Sequence, residues 1–93
     1  MKTISLHSEE YKSIEDFYVD ISTQLNFPEY FGNNLDALEE CLSLTTSKEA
    51  LTIVWDGYEK SRTVFGVNEQ GVNYLTALLT IMSETKGVTL LLS

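Results

Sequence analysis

Leu51-Thr52-Ile53-Val54-Trp55 is a short apolar run with three consecutive β-branched side chains, Thr52, Ile53 and Val54. Such a run, too short for a helix, predicts a central, buried strand. Upstream lies a Ser/Thr-rich connector, Ser43 to Lys48, and before it Leu35, Leu38, Cys41 and Leu42 recur at helical spacing, with Asn33 placed to cap that helix. The segment Asn26-Phe27-Pro28-Glu29-Tyr30-Phe31-Gly32 separates it from an earlier helix: Pro28 disfavours helix at Phe27, and Gly32 permits a turn. Ile14, Phe17, Tyr18, Ile21 and Leu25 predict that earlier helix over about residues 14–25, with Ser13 and Asp16 at capping-box spacing. Thr3 to His7 alternates Ile4 and Leu6 with polar neighbours, the pattern of a strand with one covered face.

Downstream of the central strand, a short helix is expected over Tyr58 to Val64, ended by Gly66. Val72, Leu75, Leu78, Leu79 and Met82 predict a longer helix over about residues 69–84, with Gly87 as its stop. Val88 to Leu92 is the last strand, apolar on both faces. The order β-α-α-β-α-α-β, with helical crossovers between strands, implies an α/β fold: a small three-stranded parallel sheet covered by about four helices, forming one domain over residues 1–93.

The 93 residues carry 14 acidic side chains against 6 Lys and Arg, a net charge of −8, with 43% apolar and 11% aromatic content. That composition excludes wholesale disorder, and the negative surface disfavours direct contact with nucleic acid while favouring cationic partners. The excess is concentrated. Glu9, Glu10, Glu15, Asp16, Asp20, Glu29, Asp36, Glu39 and Glu40 face only Lys12 within residues 9–40, so this window alone nets −8 and the remainder nets zero. Cys41 is the single cysteine, which excludes an intrachain disulfide. Met1 to His7 lacks a signal-peptide-like apolar run, and no stretch approaches the roughly 20 apolar residues of a membrane span, so a cytoplasmic protein without membrane contact is expected.

On a helical wheel, Leu35, Leu38, Cys41 and Leu42 share one side, Asp36 and Glu40 lie roughly opposite, and Glu39 flanks them. The carboxylates therefore form a ridge facing away from the core. Like charges at i,i+4 cost about 0.2–0.5 kcal/mol in an isolated helix, and only Asp36 is near enough to the N-terminus to regain some of that from the dipole. Immediately before the ridge, Phe27, Tyr30 and Phe31 crowd into five residues, more aromatic surface than a short turn buries, so Tyr30 or Phe31 is expected to reach solvent. An exposed ring beside orienting charges has the composition of a binding hot spot for a basic cleft.

The same stretch, Phe27-Pro28-Glu29-Tyr30-Phe31-Gly32-Asn33-Asn34-Leu35-Asp36-Ala37-Leu38-Glu39-Glu40-Cys41-Leu42, closely resembles the signature of the barstar family, intracellular inhibitors of secreted ribonucleases. Weaker similarity extends through Trp55 to the closing Leu90-Leu91-Leu92-Ser93. The resemblance implies a three-stranded parallel sheet with helices, and a loop and second helix that plug a ribonuclease active site with carboxylates standing in for RNA phosphate. Its implied partner-binding set is Tyr30, Phe31, Gly32, Asn34, Leu35, Asp36, Ala37, Glu39, Glu40 and Ser43. Glu40 stands where the family prototype has its dominant aspartate, Phe31 where it has a tyrosine, and Glu39 where it has a tryptophan. The prototype's interface glutamate on the last helix has no clear counterpart: Ile81 or Met82 falls near its place, and Glu84 lies beyond it. The prototype's second cysteine is absent too.

The implied partner is a basic ribonuclease or a related toxin, bound by a chain that is monomeric when free. Three other roles are weighed against it. A carboxylate enzyme needs two acids across a cleft about 5–9.5 Å wide, whereas these line one convex helix face. His7, the only histidine, has no nucleophile motif beside it, and Cys41 on the apolar side of its helix is a core thiol. No Gly-rich phosphate loop or metal-ligand spacing occurs, so no catalysis, metal or cofactor is expected. A different basic toxin or regulatory protein remains compatible with the same scaffold. A nucleic-acid mimic would spread its charge over the surface instead of confining it to residues 9–40.

Overall fold

In the computed structural model, which describes residues 1–29 and 31–93, the chain runs β1 (Lys2–His7), α1 (Ile14–Leu25), α2 (Leu35–Thr46), β2 (Leu51–Asp56), α3 (Lys60–Phe65), α4 (Tyr74–Glu84) and β3 (Val88–Leu92), with a single 3₁₀ turn at Ser8–Glu10 after β1. The strands form one parallel sheet in the order β1-β2-β3, with Ile4 opposite Ile53 and Ile53 opposite Leu90. The expected α/β architecture and the central place of Leu51–Trp55 are therefore both present.

The helices cover one face of the sheet. Ile4, Leu6, Leu51, Ile53 and Trp55 are buried beneath them, whereas Thr3, Ser5, Thr89 and Leu91 on the other face are exposed. β3 is an edge strand, and its apolar composition on both faces does not bury it: Leu91 and Leu92 remain 51% and 41% exposed. Among the fully buried side chains are Phe17 from α1, Leu38 and Leu42 from α2, and Leu75, Leu78 and Met82 from α4. Phe17 stacks on Trp55 with ring centroids 5.3 Å apart. The Trp55 indole N–H donates to Ser8 Oγ at 2.7 Å, and Ser8 Oγ lies 2.6 Å from Ser61 Oγ, so the two buried serines and the indole satisfy one another.

Boundaries differ from expectation at three places, two of them for a local hydrogen-bonding reason. α2 continues through Thr46 instead of stopping before Ser43, because Thr45 and Thr46 donate their hydroxyls to the Cys41 and Leu42 carbonyls and remain compatible with helix. α4 begins at Tyr74 and not near residue 69. Asn68 Oδ1 accepts from the Gln70 and Val72 N–H groups at 2.9 Å, Gly71 is left-handed at φ +81°, and Val67 bridges to Asn73, so residues 67–73 close into a turn. Val72 obeys the helical period yet is 46% exposed in that turn. α3 starts two residues later than expected, at Lys60, and ends as foreseen against Gly66 at φ +71°.

Candidate protein-binding surface

The segment joining α1 to α2 is anchored at both ends. α1 ends on Asn26, which takes the left-handed conformation at φ 54° while Phe27 N–H returns to the Ser22 carbonyl. The turn at the end of the helix is thus made by Asn26, not by Pro28 alone. The Phe31 N–H donates to the Pro28 carbonyl at 3.0 Å. Phe27 and Phe31 are half-buried with ring centroids 5.0 Å apart, and Phe31 also meets the edge of Tyr18 at 5.8 Å. Two of the three aromatic residues therefore fasten the loop to the core. Tyr30, the third and the first residue of the expected binding set, lies outside the described residues.

The α2 cap is Asn34. Its Oδ1 accepts from the Ala37 N–H at 2.8 Å, whereas Asn33, the cap expected from sequence, is left-handed at φ 50°. The Asn34 amide also donates to the Gly32 carbonyl at 3.3 Å, and a Cβ on Gly32 would approach that amide to 3.0 Å. Gly32 and Asn34 therefore shape the backbone that leads into α2.

From that cap, the helix sends its two sides in opposite directions. Leu38, Cys41 and Leu42 are buried, Leu35 and Ala37 are half-buried, and Asp36, Glu39, Glu40 and Ser43 are exposed. None of the three ridge carboxylates takes part in the ion pairs of the described residues, which join Met1 to Glu49, Lys60 to Glu9 and Arg62 to Glu59, or in the 3.8 Å contact of His7 with Asp56. The Cys41 thiol pKa is pushed up, first by burial and then by the neighbouring Glu40 carboxylate, which keeps it a protonated core group. Among the described residues no group of three or more His, Cys, Asp or Glu is placed to hold a metal ion.

Sequence spacing missed one neighbour of the ridge. Glu84, near the end of α4, shares a shallow recess of about 240 Å³ with Glu39, Ser43, Ile81 and Lys86, whereas Met82 is fully buried. The available signal was the three-residue step from Ile81 to Glu84, which keeps both on one helix face. α2 packs against α4, so the ridge continues across the groove from Glu39 to Glu84.

The amino-acid sequence that builds this surface matches known proteins. Residues 1–89 match the family model described as "Barstar (barnase inhibitor)". Over 66 residues, 71% of either chain, the protein is 36% identical to "Putative ribonuclease inhibitor YrdF" of Bacillus subtilis (strain 168). A match that leaves only the last four residues of the chain unspanned places the protein in the barstar family.

Proposed function

We propose that the chain is a cytoplasmic ribonuclease inhibitor that occupies the basic active site of its partner with the loop before α2 and the carboxylates of α2. The observation that carries this reading is the division of α2. Leu38, Cys41 and Leu42 on its inner side are buried in the core, while Asp36, Glu39 and Glu40 are exposed and none of them is in an ion pair among the described residues. A ribonuclease cleft is built to hold phosphate with Lys, Arg and His, and carboxylates on a rigid helix meet those cations with little ordering cost. Glu40 would lie deepest, Asp36 would pair with a flanking Arg or Lys, and Tyr30 would cover the pocket. Glu39, in place of an aromatic, adds a further charge and sets a preference for a partner more basic at that point.

Family membership and the likeness to a protein named as a ribonuclease inhibitor support the partner class. The test has two arms. The immobilised chain is used to capture basic proteins from the source organism, and the ribonuclease activity of barnase and of each captured protein is titrated with the chain. Stoichiometric loss of activity in at least one of them is expected. Capture only of proteins that are neither basic nor hydrolases, with barnase untouched, would overturn the inhibitor reading.

A further inference from the structure

The ridge is not the whole of this face. A recess of about 570 Å³ opens beside the start of α2, where Leu35 and Asp36 form one wall. Ile14, Glu15 and Tyr18 of α1 form a second wall, and Asn68, Gln70 and Tyr74, at the turn before α4, close a third. Three segments far apart in sequence thus meet next to the proposed binding helix, and nothing in the inhibitor reading uses Glu15, Asn68 or Gln70.

We infer that this recess receives an arginine side chain of the ribonuclease, and that Glu15 and Gln70 are specificity-determining residues of the interface. The inference rests on the inhibitor reading for the identity of the partner. Its chemistry follows from the lining. Glu15 and Asp36 supply two carboxylates, neither in an ion pair among the described residues, and none of the six Lys and Arg side chains lines the recess. Burial, the Glu15 carboxylate and Tyr74 push the Tyr18 hydroxyl up to about 12, so the phenol adds no charge at neutral pH. Ile14 and Leu35 offer apolar surface for a methylene stem, and the Gln70 side-chain carbonyl can accept a guanidinium proton, while the Asn68 oxygen is already taken by the Gln70 and Val72 N–H groups.

The opposing effect is the set of helix N-termini. α1, α2 and α4 all begin at this recess, and each contributes at most roughly half a positive charge. Two of these ends are already capped, Asn34 on the Ala37 N–H and Asn73 on the Thr76 N–H. Two full negative charges outweigh what remains, which favours a cation over an anion. A planar guanidinium flanked by apolar groups suits such a site better than the compact, strongly hydrated ammonium of lysine.

Two measurements decide it. In the first, the isotope-labelled protein is titrated with N-acetyl-arginine amide and, separately, N-acetyl-lysine amide, and amide shifts are followed. Saturable shifts confined to residues around Ile14, Glu15, Asn68 and Gln70, at least threefold tighter for arginine and weakened at least fivefold in Glu15→Gln, are expected. In the second, binding to the inhibited ribonuclease is compared for Glu15→Gln, Gln70→Ala and Glu10→Gln, the last removing an exposed charge outside the recess. Glu15→Gln should weaken binding at least tenfold and Gln70→Ala at least threefold, while Glu10→Gln changes it less than twofold. Equal effects of Glu15→Gln and Glu10→Gln, or shifts scattered over the surface, would overturn the recess while leaving the inhibitor reading intact. Inhibition of no ribonuclease at all would overturn that reading, and the assignment of the arginine with it.

Discussion

Two polar clusters in this molecule are handled in opposite ways. Ser8, Ser61 and the Trp55 indole sit inside the core, at most 3% exposed, and bond to one another at 2.6 and 2.7 Å. Asp36, Glu39 and Glu40 sit on the outer side of α2, and none is in an ion pair among the described residues. Buried polar groups must be paired because desolvation without a partner costs about 1–3 kcal/mol each. Exposed carboxylates face no such demand and are kept in water until something cationic arrives. On the proposed function the first cluster belongs to stability and the second to recognition, and the two should separate cleanly under substitution.

The largest separation is expected at Trp55. Trp55→Ala removes a fully buried ring and leaves the Ser8 hydroxyl without its indole donor, so urea unfolding should show a loss of about 3–5 kcal/mol. The single substitutions Asp36→Ala, Glu39→Ala and Glu40→Ala should each stay within about 0.5 kcal/mol of the parent in the same assay. A ridge substitution that destabilises as much as Trp55→Ala would erase the contrast.

Binding reverses the ranking. Glu40→Ala should cost about 2 kcal/mol or more of ribonuclease affinity, Asp36→Ala somewhat less, with calorimetry or competition kinetics as the readout. Most of the loss is expected in the dissociation rate, with a smaller, salt-sensitive change in association.

The alkaline limb of stability sharpens the same comparison, because two tyrosines whose ionisation folding opposes belong to the core. Burial raises the pKa of Tyr18 to about 12, and burial and Asp20 raise that of Tyr11. Above about pH 10 the unfolded chain releases these protons while the folded chain keeps them, so the unfolded state binds fewer protons and stability falls as pH rises. The contribution is complete below about pH 10 and declines by up to about 1.4 kcal/mol per pH unit for each tyrosine until the folded group ionises. Unfolding midpoints between pH 9 and 12 should follow that slope, and Tyr18→Phe should flatten it.

The smallest effect is expected at the entry to α2. Asn34 caps α2 and also shapes the loop, so Asn34→Ala should cost about 1 kcal/mol of stability and, through a frayed first turn that carries Asp36, weaken ribonuclease binding several-fold. A change in stability with no change in affinity would show that the cap positions nothing for the partner.

Much of this was legible in the chain itself. The β-branched run at Leu51–Trp55 announced the central strand, and the spacing of Leu35, Leu38, Cys41 and Leu42 announced which side of α2 faces inward, because burial imposes periodicity on sequence. Periodicity failed where hydrogen bonding decides. Val72 continues a helical pattern, but the Asn68 side chain and left-handed Gly71 hold it in a turn. Asn33 and Asn34 are equivalent in composition, and only backbone conformation selects the second as the cap. The wider surface was less accessible still. Glu84 with Glu39, and Gln70 with Asp36, line common recesses through tertiary packing, which no local spacing encodes.

The account is tested most directly by removing charge from the ridge without changing its shape. The triple variant Asp36→Asn, Glu39→Gln, Glu40→Gln is compared with the parent for ribonuclease affinity, with the urea midpoint measured on the same samples. A loss of at least about a hundredfold in affinity with an unchanged or slightly raised midpoint is predicted, since three like charges leave one helix face while no buried contact is lost. Affinity within a factor of two of the parent would contradict the assignment of α2 as the surface that meets the enzyme.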